Sequence, residues 1–219
     1  MVRHGAWPCA EARGAPVNRL EAYSNLERLG PVVSTAEAAA GLRLSVSSTS
    51  RLLRGLAEVG RAHQVRSGIW ALGQDPPDPF SVISELTRPH LSYISFSSAL
   101  NYHGMIDQIP REVSVASLDR ARRIETSLGV YGIHHLPAEL FGGWQETPRG
   151  RVAAPEKAIF DLSYVSAVHQ GGPRRVPEIE LPAGFNRKVL DAWVHRIASR
   201  RLATITRRAI DYTLARAMR

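Results

Sequence analysis

Between residues 45 and 54 the chain runs SVSSTSRLLR, and its polar side chains are of the kinds that grip and read nucleic acid. Ser45, Ser47, Ser48 and Thr49 carry short hydroxyls, which allow close approach to phosphates and base edges. Arg51 and Arg54 each carry a planar fork that donates two parallel hydrogen bonds to guanine O6 and N7. Arg66 and Ser67 follow at the tip of an expected hairpin, within reach of a phosphate or of the minor groove. No acidic residue falls between Glu37 and Glu58, so nothing there repels a polyanion. These eight residues are the candidate DNA-binding set. The alternative use of the same polar face is contact with protein.

The elements that must position them follow from periodicity. Val17, Leu20, Tyr23, Leu26 and Leu29 recur three apart, which predicts a helix ended by Gly30-Pro31. Ser34 and Glu37 stand at capping-box spacing before an alanine-rich helix, with Gly41 as its expected left-handed end. Ser45 opens a third helix, in which Val46, Leu53, Leu56 and Val59, helped by Leu52, are expected to face inward and Gly60 to close the helix. AHQVR and IWALG flank Ser67-Gly68 as a hairpin. Helix, short helix, tight turn, helix and hairpin make a winged helix-turn-helix over residues 16–72, whose second helix of the pair lies in the major groove.

The remainder predicts a different architecture. GQDPPDP at 73–79 is a stiff, extended linker and the expected boundary. From residue 80 onward helical and strand patterns alternate. SVISELTR is helical, YISFSSALNYHG passes from strand to helix, and EVSVAS, GVYGIHHL and GRVAAP are strands. PEKAIFDLSYV is a helix with Pro155 at its first position. The fold class is therefore α+β: a winged helix-turn-helix, then a mixed α/β domain over 80–219 that ends in basic helices. In that tail Val189, Leu190, Trp193, Val194 and Ile197 form one apolar stripe. Leu202, Ile205, Ala209 and Tyr212 form the next. Arg200, Arg201, Arg207 and Arg208 fall on one arc away from it, a secondary basic face for DNA or an acidic partner, or an ordinary solvated surface.

Charge is distributed in the same sense. The net charge is +8. Residues 16–72 carry +3, residues 73–186 carry −3 and residues 187–219 carry +7, so basicity sits at the ends. All basic residues but Lys157 and Lys188 are arginine. Cys9 is the only cysteine, which excludes an internal disulfide or a cysteine-built zinc site and fits a cytoplasmic setting. Residues 1–15 are expected to be a disordered lead-in without the apolar run of a secretory signal, and no stretch approaches the ~20 apolar residues of a membrane span.

Enzyme motifs are missing. The sequence holds no P-loop, GxGxxG or GxSxG. His134 and His135 are neighbours on an expected strand and point to opposite faces, a poor metal pair, with one packed and one exposed. His103, at a helix end, is expected to be a capping or core residue. Glu156, Asp161, Glu178 and Glu180 could supply carboxylates to a Mg²⁺-dependent nuclease, but the lysine such sites carry is absent after Glu178-Ile179-Glu180. The expectation is a non-enzyme that needs no cofactor or metal.

Several motifs then occur in a telling order: Ser98-Ala99-Leu100 with His103-Gly104, Pro110 before a strand, and Ala154-Pro155-Glu156-Lys157-Ala158 leading to Asp161. Together with the preceding winged helix and the basic tail, over roughly residues 16–215, this order resembles the AbiEi family of antitoxins and transcriptional regulators of type IV, abortive-infection toxin–antitoxin systems. The resemblance implies a repressor that binds inverted repeats upstream of its own operon and counteracts a nucleotidyltransferase-type toxin, with direct toxin contact left open. It implies no catalytic residues. The other reading is a protein-binding module over 80–219 that the winged helix targets to DNA.

Overall fold

A computed structural model describes residues 19–170 and 178–217. The lead-in with Cys9, and Val17 of the first apolar stripe, lie outside the described residues. The molecule is α+β. In chain order it comprises α1 (Arg19–Glu27), β1 (Val32–Ser34), α2 (Thr35–Leu42), α3 (Val46–Glu58), β2 (Ala62–Arg66), β3 (Ile69–Leu72), α4 (Ile83–Thr87), β4 (Ser92–Ile94), α5 (Phe96–Tyr102) and β5 (Val113–Ser117). There follow β6 (Arg122–Thr126), β7 (Gly129–His135), a 3-10 turn at Ala138–Leu140, β8 (Trp144–Thr147), β9 (Gly150–Ala153), α6 (Pro155–Gln170), α7 (Arg187–His195) and α8 (Arg200–Ala217). Among the described residues no helix is long and apolar enough to cross a membrane.

The helices and strands up to Leu72 build a small core of Leu26, Val33, Ala38, Leu53, Leu56, Ala62 and Trp70. It is closed by a three-stranded antiparallel sheet in the order β1-β3-β2. The first helix departs from expectation. Leu26 is buried and Tyr23 half-buried, but Leu20 is 84% and Leu29 45% exposed, and Ala22 takes the inward place. Residues three apart rotate by about 60° per step around a helix, so a run of five cannot share one face. The core takes the pair four apart instead. Gly41 lies within α2, and the left-handed residue is Arg43 (φ 53°). A Cβ on Gly41 would meet only the tip of the exposed Leu29 side chain, so neither packing nor chain reversal requires glycine there.

The larger core lies on a six-stranded mixed sheet, β6-β7-β5-β4-β9-β8. The β5–β7 and β4–β9 pairs are parallel and the others antiparallel. Central strands are the ones whose apolar runs announce them. Val115, Ala116, Tyr131, Ile133 and Val152 are each at most 2% exposed. Strands β1, β6 and β8 have no counterpart in the periodicity. β6 and β8 are edge strands in which only Ile124 is buried, and their charged, polar character suits a sheet margin. In α8 the buried side is Thr206, Ala209, Ile210, Thr213 and Leu214, so Tyr212 (45% exposed) does not belong to it, nor Val189 to the buried side of α7.

A buried ion pair organises this core. Lys157 and Asp161 stand one turn apart on α6, 1% and 0% exposed, and bond directly. Lys157 Nζ also donates to the Leu140 carbonyl at 2.8 Å. Asp161 Oδ2 accepts from Ser95 Oγ at 2.7 Å and from the Tyr93 hydroxyl at 3.0 Å. The ammonium lies 4.5 Å from the Trp193 ring centre and 4.8 Å from that of Phe160. Burial drives the lysine pKa down and that of the aspartate up, and their mutual attraction opposes both shifts. Burial next to the Asp161 charge pushes the Tyr93 hydroxyl far above its usual range, so it serves as a fixed donor. Gly143 (φ +76°) passes over this group. A Cβ there would meet Trp193 Cζ2 at 2.8 Å and Lys157 Cγ at 3.1 Å.

The two cores meet. Val65 and Ala71, on the hairpin β2–β3, are buried in the larger one. Ser127 donates through its amide to the Val65 carbonyl at 2.9 Å and through its hydroxyl to that of Gln64 at 2.9 Å. Arg88 forms ion pairs with Glu37 and, at 2.7 Å, with Glu85. Residues 73–79 contain no helix or strand, but they are held at several points. Asp78 accepts two bonds from Arg149, at 2.5 and 2.9 Å, Tyr131 donates to the Pro79 carbonyl at 2.8 Å, and His63 meets the Gln74 carbonyl at 3.0 Å.

Removing one member of the ion pair strands the other in an apolar interior. Asp161→Leu or Lys157→Met is expected to cost about 3–5 kcal/mol. The double replacement should recover much of that loss. Urea unfolding of the three variants checks this, and a double variant no more stable than the singles would contradict it.

Candidate nucleic-acid interface

The candidate residues sit on and around α3, and the chain positions that helix from both sides. At its start Ser45 is the N-cap: its hydroxyl accepts from the Ser48 amide at 3.1 Å, satisfying a donor that the helix leaves unpaired. The same hydroxyl lies 3.1 Å from Ser47 Oγ and donates to Ser48 Oγ at 2.9 Å, so three hydroxyls cluster at one helix end. Before it, Ser34 and Glu37 complete the expected capping box. The Ser34 hydroxyl accepts from the Glu37 amide at 3.1 Å, and Glu37 Oε2 accepts from the Ser34 amide at 3.0 Å. The left-handed Arg43 turns the chain from α2 into α3, and its side chain is exposed.

The hairpin tip is tied to the same helices. The Gly68 carbonyl accepts from the Thr35 amide at 2.8 Å, and the Trp70 indole donates to Thr35 Oγ1 at 3.0 Å inside the core. Arg66 and Ser67 therefore stand exposed beside the start of α2 at a determined height.

Leu53 and Leu56 face inward as expected, but Val46 and Val59 are 58% and 64% exposed and Leu52 is half-buried. The core does not reach the helix ends: Val46 is the first helical residue and Val59 lies past the last. Their inward place is filled by Thr49, fully buried, whose hydroxyl donates to the Ser45 carbonyl at 3.0 Å. Thr49 leaves the candidate set, because its hydroxyl is spent inside the helix.

What remains outside is coherent. Ser45, Ser47, Arg51 and Arg54 are exposed and Ser48 half-buried. Arg54 folds back on its own helix, its Nε donating to the Ser50 carbonyl and Nη2 to Ser50 Oγ, both at 3.3 Å. Arg43, Arg51, Arg54 and Arg66 form no ion pair with the described residues, whereas Arg88, Arg122, Arg149, Arg151 and Arg187 do. Arg43, exposed in the turn between α2 and α3, is a further candidate that the sequence did not single out. Its signal was its place in the turn between two helices.

The secondary basic face holds its geometry. Arg200, Arg201, Arg207 and Arg208 are exposed, opposite buried Thr206. The two acids of the tail do not neutralise them. Asp211 accepts from Arg187 at 2.5 Å and Asp191 lies 3.6 Å from the same side chain. Arg200 and Arg201 occupy the first turn of α8, where the helix dipole opposes a cation.

The carboxylates weighed for a nuclease are used separately. Glu156 accepts the Asn186 amide at 2.7 Å, Asp161 holds the buried lysine, and Glu178 and Glu180 are exposed around buried Ile179. Among the described residues no three histidine, cysteine or acidic side chains gather as a metal site. His134 packs its ring 4.4 Å from that of Phe96, and burial lowers its pKa. His135 is exposed, beside the Asp119 carbonyl at 3.2 Å. His103 ties the end of α5 to the Ala153 carbonyl at 2.7 Å. No protein-family model matches the chain, and no curated protein matches it.

The geometry separates structural from surface roles. Thr35→Val leaves the Trp70 indole unpaired and is expected to cost about 1–3 kcal/mol. Arg51→Ala is expected to stay within about 0.5 kcal/mol of the parent. Thermal unfolding followed by tryptophan fluorescence distinguishes them. Equal losses would mean that Arg51 is held by contacts in the folded chain.

Proposed function

We propose that residues 16–72 form a winged helix-turn-helix that binds double-stranded DNA by laying α3 in the major groove, and that the protein is a sequence-specific transcriptional repressor of its own operon. The observation that carries this is the outer face of α3, with its cluster of serine hydroxyls and its arginines free of ion pairs among the described residues. A helix offered to solvent alone gains from acid–base pairing along its surface. From Val46 to Ala57 the helix carries no acid, and exposed Glu58 is its last residue, so the N-terminal end of the face suits a polyanion. Helix α3 follows α2 through a tight turn, with the hairpin tip beside them, and its N-terminal residues are those that would meet base edges. Residues 73–79 are then the junction to the second domain, over 80–219.

The resemblance to AbiEi proteins supports the antitoxin half of the proposal. In that reading the protein counteracts a nucleotidyltransferase-type toxin in the cytoplasm, through its second domain and without catalysis of its own. The tail arginines Arg200, Arg201, Arg207 and Arg208 are a second candidate face for phosphate contacts.

A labelled duplex from immediately upstream of the gene, titrated beside a scrambled duplex, tests the central claim by fluorescence anisotropy. At about 0.15 M salt the parent is expected to prefer the native duplex. Arg51→Ala should cost about 1–3 kcal/mol on that duplex and relax its preference. Replacing Arg200, Arg201, Arg207 and Arg208 by glutamine should weaken both duplexes alike and flatten the salt dependence, by roughly one unit of log–log slope for each arginine that meets a phosphate. Equal, steeply salt-dependent binding of the parent to both duplexes would overturn the sequence-specific reading.

A further inference from the structure

We propose that Val46 is a specificity-determining residue of the α3 face and reads the C5-methyl group of a thymine in the major groove. The inference rests on the DNA-binding reading above. Val46 is the first residue of α3 and is 58% exposed. It takes no part in the core that Leu53 and Leu56 build below it. Its own helix gives no reason for valine. A β-branched side chain is a weak helix former, and the capping work at this end is done by the hydroxyl of Ser45 on the Ser48 amide.

Its neighbours define what it would meet. Ser45 and Ser47 flank it in the chain, both exposed and bonded to each other through their hydroxyls. At about 100° per residue, Val46 stands about 20° from buried Leu53 and about 40° from Ser50, with Arg54 about a further 40° round, so it marks the margin between the core stripe and the polar face. Val46 is thus an apolar patch at the border of a polar, cationic face, at the end of the helix that approaches base edges. Val59, the exposed valine at the other end of this helix, lies just past its last residue and across the helix axis. In the major groove each base pair offers hydrogen-bonding groups, and thymine alone adds a methyl group. An exposed isopropyl group offers no hydrogen bond to the donors and acceptors of the groove floor and gains most by contact with that methyl.

The test starts from duplexes selected by the full-length parent protein from a random library, with each thymine of the consensus replaced in turn by deoxyuridine. That change removes the methyl and leaves every hydrogen-bonding group in place. With the parent, one position is expected to lose affinity about fourfold, the worth of one buried methyl group. Val46→Ala should bind the thymine duplex about fourfold more weakly and be indifferent to deoxyuridine at that position. Because Val46 is exposed, the variant should keep the parent's thermal midpoint. If the parent tolerates deoxyuridine everywhere, or if Val46→Ala responds to it as the parent does, the assignment of Val46 is wrong while DNA binding stands. If selection yields no preferred sequence at all, the DNA-reading proposal itself falls, and this inference with it.

Discussion

The pair of charges buried on α6 sets the terms for the larger half of the molecule. An ammonium and a carboxylate in an apolar interior cost several kcal/mol each to dehydrate, and that cost is offset only where every remaining donor and acceptor finds a partner. Here the partners come from separated stretches of chain: Tyr93 on β4, Ser95 at the corner leading into α5, and the Leu140 carbonyl in the 3-10 turn. The Trp193 ring from α7 closes over the ammonium. Gly143 passes where any side chain would strike that tryptophan. One i,i+4 pair thus dictates how sheet, helices and connecting loop must meet. An all-apolar core would tolerate sliding among these elements, and a satisfied ion pair does not.

The order in that core extends to the candidate interface through the hairpin. Strands β2 and β3 have one side in each core: Trp70 and Ala62 complete the small one, while Val65 and Ala71 enter the large one. The hairpin is therefore a shared wall. Residues 73–79, which by composition should be a simple extended spacer, are pinned by Arg149, Tyr131 and His63. Anything that shifts the second half relative to the sheet must move the hairpin, and with it the tip that holds the start of α2 through Thr35 and Gly68. The polar face of α3 is left to solvent because the opposite face, with Thr49, Leu53 and Leu56, is fully used.

Much of this was legible in the residues. Ser34 with Glu37 and Ser45 announced two helix starts, and both caps form because capping is a local interaction that needs only three or four residues. The central strands were legible because burial on both sides demands apolar runs. Edge strands β6 and β8 were not, because strands such as RRIET or WQET look like loops until a neighbour supplies hydrogen bonds. Thr49 and Val46 exchanged roles for a related reason. Hydropathy ranks valine inward and threonine outward, but the core ends one turn short of the helix start, and a threonine hydroxyl can be satisfied by its own helix.

The sequence by itself therefore determined the α+β class, the order of the main helices and central strands, the starts of α2 and α3 and the segregation of positive charge to the ends. Those follow from periodicity, local hydrogen bonding and composition, which act over a few residues. Only the tertiary structure decided which arginines lack an acid partner among the described residues, that Arg43 is exposed in the turn before α3 while Thr49 is buried, and that Lys157 and Asp161 act as a buried tie. Ion pairs such as Arg88 with Glu37 span 51 positions, and the bond from Tyr93 to Asp161 spans 68. No local pattern encodes a partner at that separation, because the energy of the contact depends on burial that exists only once the chain has folded.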